Sequence, residues 1–332
     1  KECKGPINYI HHFPVAKDQA EKSEKQRIRL VVNSSWGRPT VIDGATQKAS
    51  LNSVLPTAKP KLNSLHDIAL RWITKPVSLL TDVQKAYNQI AVQDSFEGRM
   101  TSHVRRLIWF EDVESENPEP VIYFLKRVTY GDSVAAAILN EVIIHIGDVI
   151  SDELGSPDNK KAFLDANYVD DEIVGVEDKQ SAFELLDDMR TAFSKYQINL
   201  HEEVVSCKEG KIDSVGSQPR KEPRPDEDAE VKILGWKYSP FQDTLTIPIN
   251  KNISKKVRGT KTGKDLTPED VDTLTVTPRI LASFIHSQFD WLNFMAPVMI
   301  QGKVLMAKVQ QVLPPVCREN WDAPLPPPLI EE

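Results

Sequence analysis

The stretch FLDANYVDDEIVGV, residues 163–176, sets two adjacent carboxylates, Asp170 and Asp171, between short runs of strand-forming residues. A third, Asp82, closes the apolar run VSLLTD at 77–82. Brought together, three carboxylates repel one another, and each would be partly neutralised by a proton unless a cation lay among them. A donor set made only of oxygens suits Mg²⁺, which keeps some waters and takes further ligands from substrate phosphates. The chemistry that follows is metal-assisted phosphoryl transfer. Two aspartates at a turn are also ordinary turn formers, and the pair alone does not separate the two readings. A calcium loop fails: starting at Asp165 it would need Gly at 170 and Glu at 176, where the chain has Asp170 and Val176.

The elements that must position these carboxylates follow in a telling order. VSLLTD reads as a buried strand, and after an excursion rich in strand formers (RRLIWFEDV, VIYFLKRVTY) residues 132–152 read as a helix. AFLDANY and EIVGV read as two short strands of a hairpin. Ser181 and Glu184 form a capping box for a second helix with Ala182, Leu186, Met189, Phe193 and Tyr196 on one face. INLHEEVV (198–205) reads as a last strand. Strand, helix, hairpin, helix, strand is the split βαβ arrangement, an antiparallel sheet with both helices on one face. It sets the end of the first strand beside the hairpin turn, and so Asp82 near Asp170 and Asp171.

The rest of the chain bounds the setting. Its 332 residues, 40% apolar, can bury a large core or several subdomains. Three scattered cysteines (Cys3, Cys207, Cys317) form neither a disulfide framework nor a metal motif, so a reduced, intracellular location is expected. The longest apolar run, 134–150, is interrupted by Asn140, Glu141, His145 and Asp148, and no membrane partner is expected. The opening KECKGP carries no initiator Met and reads as a piece of something longer. A net charge of −7 argues mildly against nucleic acid, but 250–264 carries Lys251, Lys255, Lys256, Arg258, Lys261 and Lys264 without an acid. That run reads equally as a solvated linker. DVESENPEPV (112–121) and GSQPRKEPRPDEDAE (216–230) read as exposed excursions.

YVDD (168–171), LTDVQKAYNQI (80–90) and VTYGDS (128–133) resemble the palm motifs of reverse transcriptases. More narrowly, the chain resembles the reverse transcriptase of BEL/Pao long-terminal-repeat retrotransposons, a fragment of a Pol polyprotein. The likeness runs from YIHHFPV and RIRLVVNSS through ASLNSVLPTAKPKLNSL and KILGWKYSPFQDTLTI to TPRILASFIHSQFDWLNFMAPV and WDAPLPPPL. It implies an α+β, right-hand polymerase: fingers and a ferredoxin-like palm over 1–246, and a helical, thumb-like region over 247–332 with a basic linker and a Pro-rich tail. It implies an RNA- and DNA-directed DNA polymerase using two Mg²⁺ ions, with Mn²⁺ as a substitute. The implied partners are a primed RNA or DNA template, dNTPs and other parts of a Pol/Gag polyprotein, in the cytoplasm or in virus-like particles.

By the same resemblance Asp82, the Val83 carbonyl and Asp170 correspond to the metal ligands, with Asp171 a supporting acid of the catalytic set. Tyr87 corresponds to the steric gate under the sugar, Arg29 to the fingers arginine on the triphosphate, and Gly131 to the motif B glycine. Leu234, Gly235 and Trp236 of LGWKY correspond to the primer grip. Lys255, Lys256, Arg258 and Lys261 would meet the duplex backbone. Three residues depart from the pattern: Asn33 where Asp is usual, Tyr130 where Phe is favoured, and Glu202 near a lysine that could protonate the leaving pyrophosphate. A domesticated or decayed relative serving as a nucleic-acid-binding or structural protein is the alternative, and a phosphotransferase on a similar sheet is another. No RNase H carboxylate cluster fits in VCRENWDAPLPPPLIEE, and the seven histidines and three cysteines offer no integrase-type zinc module.

Overall fold

The computed structural model describes residues 8–16, 28–42, 45–96, 99–100, 104–112, 114–115, 117–207, 212–214, 231–239, 242, 244–249, 256–257, 260–261, 275–312 and 320–327. The chain divides into two compact units, Lys1–Cys207 with Lys211–Arg224, and Lys208–Gly210 with Pro225–Glu332. This packing boundary precedes the division at 246/247 expected from the sequence.

Unit 1 opens with two antiparallel ribbons, β1 (His11–Ala16) with β2 (Ile28–Asn33) and β3 (Arg38–Ile42) with β4 (Ala45–Ala49). Helix α1 (Leu51–Val54) is capped by Ser50, and α2 (Leu65–Ile73) starts at Ser64, whose hydroxyl accepts from the Asp67 amide. Its Ile68, Ala69 and Trp72 recur at helical spacing and are buried. Strand β5 (Val77–Val83) is the buried strand expected at VSLLTD; its nearly continuous apolar run fits a central position covered on both faces. The single turn α3 (Ala86–Gln89) and the hairpins β6 (Ser95–Phe96) with β7 (Arg99–Met100) and β8 (Arg106–Phe110) with β9 (Pro120–Phe124) fill the excursion. Helix α4 (Ala135–Asp152) then buries Leu139, Ile143, Ile146 and Ile150 along one stripe.

The next segment departs from expectation. AFLDANY is not a strand: its first five residues complete α5 (Pro157–Ala166), and only Asn167–Tyr168 pair, as β10, with β11 (Asp171–Val176). Pro157 at the first helical position is preorganised for a helix, and a short apolar run such as Ala162–Leu164 does not by itself distinguish strand from helix. The cap of α6 (Lys179–Lys195) also lies upstream of the expected box: Asp178 accepts from the Ser181 amide at 2.8 Å, which makes Ser181 the third helical residue. Ala182, Leu186, Met189 and Phe193 are buried as expected, whereas Tyr196 is exposed and shares a 2.8 Å hydrogen bond with His145 Nε2. Strands β12 (Leu200–Cys207) and β13 (Ile212–Ser214) complete a five-stranded sheet of order β10-β11-β5-β12-β13, antiparallel throughout.

Register assigns the two faces of this sheet. Val77, Leu79 and Val83 stand beside Val174 and Val205 and pack with Leu139, Ile146, Phe163, Leu186 and Met189, the helix-covered core. The opposite face carries Ser78, Leu80 and Asp82 with their partners Gly175, Ile173 and Asp171. Helix α2 covers part of it: Trp72 Nε1 donates to Ser78 Oγ at 2.6 Å, and a Cβ at Gly175 would come within 2.8 Å of Arg71 and Trp72 backbone atoms.

In unit 2, β14 (Val231–Ile233), β15 (Trp236–Ser239) and β16 (Thr244–Thr246) form an antiparallel meander, and β17 (Lys256–Val257) pairs with β18 (Thr260–Lys261). Helix α7 (Pro278–Ser287) begins with the cap Thr277 and Pro278, and α8 (Ala296–Val312) follows it. Val309, Ala323 and Leu325 form a buried cluster there. Among the described residues no helix is long and apolar enough to cross a membrane.

Candidate active site

The carboxylates lie where β5 and the β10–β11 hairpin end. Asp82 is the direct register partner of Asp171, and on its other side that of His201 in β12. Partners across an antiparallel pair have Cβ atoms about 4.5–5.5 Å apart, and like charges so placed are destabilising. The Val83 amide donates to the Asp170 carbonyl at 2.9 Å, which ties the turn to the end of β5. Asp170 is half-buried, and burial holds its carboxyl above the usual range, partly offset by a backbone hydrogen bond.

The turn between β10 and β11 contains only Val169 and Asp170, and Val169 has φ +63°, a left-handed conformation unfavourable to a β-branched residue. Its surroundings enforce it. Asn167 Nδ2 donates to the Val169 carbonyl at 3.3 Å and to Glu172 Oε1 at 2.7 Å, while Asn63 Nδ2 donates to the Asn167 carbonyl at 3.0 Å. Glu172 is fully buried, and its carboxyl is pushed well above the ordinary range by burial; the Asn167 bond opposes this shift and the Asp171 charge adds to it. Neither Val169 nor this bracing was anticipated from the sequence; the one available signal was a valine inside a two-residue turn.

Tyr87 lies in α3 beside the site. Its hydroxyl pKa is raised by burial first, then by the charge of Asp170 and by Tyr130, and its ring meets that of Tyr130 edge-on at 4.9 Å. Tyr130 is otherwise exposed. Gly131 adjoins β2, where a Cβ would collide with the Val32 carbonyl oxygen. Asn52 holds the loop from both sides: its Nδ2 donates to the Gly131 carbonyl at 2.8 Å and its Oδ1 accepts from the Ser133 amide at 2.9 Å. Asp132, also not singled out in the sequence, is buried, ion-paired with Arg105 at 2.6 Å and accepting from Ser34 Oγ at 2.7 Å. Asn33 Oδ1 accepts from the Ser35 amide at 3.1 Å, so this departure serves as a turn-forming side chain.

Asp82, Val83, Tyr87, Gly131, Asp170 and Asp171 thus all belong to unit 1, with Arg29 on β2 opposite Val15. The side chains of Arg29 and Glu202 lie outside the described residues. Leu234, Gly235 and Trp236 belong to unit 2, where Leu234 and Gly235 form a tight turn with φ +45° and +88°. Trp236 is fully buried, donating from Nε1 to the Phe289 carbonyl at 2.9 Å and packing on Trp291 and Phe294. Lys256 and Lys261 are register partners in β17–β18, while Lys255 and Arg258 lie outside the described residues. Among the described residues no three His, Cys, Asp or Glu side chains converge as a ready-made metal site. The donor chemistry of Asp82 and Asp170 nevertheless fits Mg²⁺, which commonly takes only one or two carboxylates and completes its shell with water and substrate phosphates.

No protein-family model and no curated protein matches the chain. Among solved structures, it is similar to the foamy viral protease-reverse transcriptase dRH in complex with double-stranded DNA, at 13% identity and a TM-score of 0.47 over 90% of this chain and 39% of that one. It is similar to the foamy viral protease-reverse transcriptase in complex with an RNA/DNA hybrid, at 14% identity and a TM-score of 0.46 over 91% and 31%. A selenomethionine-labelled mutant of the prototype foamy virus protease-reverse transcriptase gives 14% identity and a TM-score of 0.38 over 58% and 20%. The chain therefore spans well under half the length of each.

Proposed function

We propose that this chain is the reverse transcriptase of a BEL/Pao-type retrotransposon, an RNA- and DNA-directed DNA polymerase with a right-hand arrangement of fingers, palm and thumb. The observation that carries this reading is the register opposing Asp82 and Asp171 at the sheet end, with Asp170 tied to Val83 and Tyr87 beside it. Asp82, Asp170 and the Val83 carbonyl would hold two Mg²⁺ ions, which when bound supply activation of the primer 3′-hydroxyl and neutralise charge on the triphosphate. Asp171 adds negative charge beside them. The ring of Tyr87 underlies the sugar and leaves no room for a 2′-hydroxyl. Gly131 lies under template and nucleotide, its missing side chain letting this loop pack against β2, and Arg29 pairs with the triphosphate. The Leu234–Gly235 turn with Trp236 behind it grips the primer, and Lys255, Lys256, Arg258 and Lys261 neutralise backbone phosphates without reading bases.

The test is primer extension by the purified chain on RNA and DNA templates, with Mg²⁺, with Mn²⁺ and with chelator. Metal-dependent incorporation of dNTPs on both templates, with the RNA strand of the hybrid left intact, is the expected result. Retained template-primer binding without extension would instead identify a nucleic-acid-binding descendant of such an enzyme.

A further inference from the structure

The hairpin β8–β9 is unusual in unit 1 because it is apolar on both faces and yet exposed. Ile108, Trp109, Phe110, Val121, Ile122, Tyr123 and Phe124 are each between 36% and 45% exposed. The base of the ribbon is anchored through Leu107, which is buried with Ile10 and Leu51. Among the described residues β9 pairs with β8 alone. A contiguous apolar surface with a free strand edge is a docking surface.

Charge identifies what docks. From Leu107 to Leu125 the chain has no Lys or Arg, and its tip carries Glu111, Asp112, Glu114 and Glu119. The base carries the opposite sign, with Arg105 and Arg106 before the ribbon and Lys126 and Arg127 after it. Arg105 is committed to Asp132, and Arg106 stacks on Phe124 at 5.2 Å. Lys126 meets Asp94 at 3.1 Å in an exposed pair, which is energetically weak. An acidic tip repels a phosphate backbone, which disfavours nucleic acid as the occupant. A ribbon basic at one end and acidic at the other is complementary to an antiparallel copy of itself.

We propose that β9 of two copies pair edge to edge about a two-fold axis near Ile122, forming a four-stranded antiparallel sheet and a homodimer. A two-fold contact is self-complementary, each end meeting the opposite end of its partner. Lys126 of one copy then lies beside Pro118 and Glu119 of the other, twice over. The contact is small, so the dimer is weak, with a dissociation constant on the order of 10 μM.

Sedimentation equilibrium of the full chain from about 1 to 200 μM tests this. A concentration-dependent dimer is expected, weakened about tenfold or more by Ile122→Lys. Glu119→Lys and Lys126→Glu should each weaken it by a similar factor. Dimerisation should return when both changes stand in one chain or when the two single variants are mixed, because each mixture restores opposite charges at both contacts. This rescue separates a contact from a folding defect. A monomer at all concentrations would overturn the proposal, as would a dimer indifferent to these variants. So would ribbon variants that leave self-association unchanged but reduce template-primer binding, which would make the ribbon a nucleic-acid surface.

Discussion

Two hairpin turns of this molecule solve the same geometric problem in different ways. The Leu234–Gly235 turn has positive φ at both central residues, the pattern of a type I′ turn, with Gly at the second place where it is favoured. The Val169–Asp170 turn has positive φ at the first residue alone, the pattern for which a type II′ turn takes Gly, yet the residue is Val. The first turn also holds a non-glycine residue, Leu234, at positive φ, and it precedes the buried Trp236. The second is strained, by roughly 1–3 kcal/mol for a non-Gly residue in such a region, and persists because Asn167, Asn63 and Glu172 brace it. Both turns hold a non-glycine residue left-handed, but only at the carboxylate-bearing turn is that residue β-branched and braced by side chains from elsewhere in unit 1.

Substitutions at the two turns separate their roles. The largest effect is expected at the strained turn's chemistry. Asp82→Asn or Asp170→Asn should lower primer extension by about 10³-fold or more while far-UV circular dichroism stays unchanged, because each removes several kcal/mol of charge stabilisation. Extension within tenfold of the parent would remove these residues from the site. At the Leu234–Gly235 turn the effect should fall on stability instead. Trp236→Ala empties a fully buried indole position and should cost about 3–5 kcal/mol in denaturant unfolding of unit 2.

Swapping turn residues is a finer probe. Val169→Gly should raise stability by about 1 kcal/mol by removing strain, yet lower extension, because Asp170 gains freedom; Gly235→Ala should lower stability by about 1 kcal/mol. If Val169→Gly is faster as well as more stable, the strain has no role in aiming Asp170. The smallest change in overall rate is expected from Tyr87→Ala, read as a discrimination ratio. It should let ribonucleotides compete, shifting the dNTP:rNTP preference by roughly 10–100-fold, since the exclusion is steric. An unchanged ratio would place the gate elsewhere.

The five-stranded sheet was largely legible in the sequence because its central strand is buried on both faces and Ala182, Leu186, Met189 and Phe193 keep helical spacing. What the sequence hid was local competition. Asp178 and Ser181 are both good caps, and only the packed helix shows that the earlier one wins. AFLDANY holds too few residues for either period to declare itself, and Pro157 was the overlooked signal for a helix. The juxtaposition of Asp82 and the YVDD turn followed from element order, but the opposition of Asp82 to Asp171 is a matter of register. Asn52, Asn63 and Asp132 were silent because their partners lie far along the chain.

That distance shapes how the molecule comes into being. Ser34 waits for Asp132, 98 residues later, and Asn52 waits for Gly131 and Ser133, 79 and 81 residues later. At a synthesis rate of about 5–20 residues per second, roughly 5–20 s separate the emergence of Ser34 from that of its partner. During this interval β1 and β2 can pair with each other, but the Ser34 and Asn52 hydrogen bonds to the later loop are unmade. Arrival of the segment around Asp132 closes these long loops together, so β2 and α1 are fixed well after they are made.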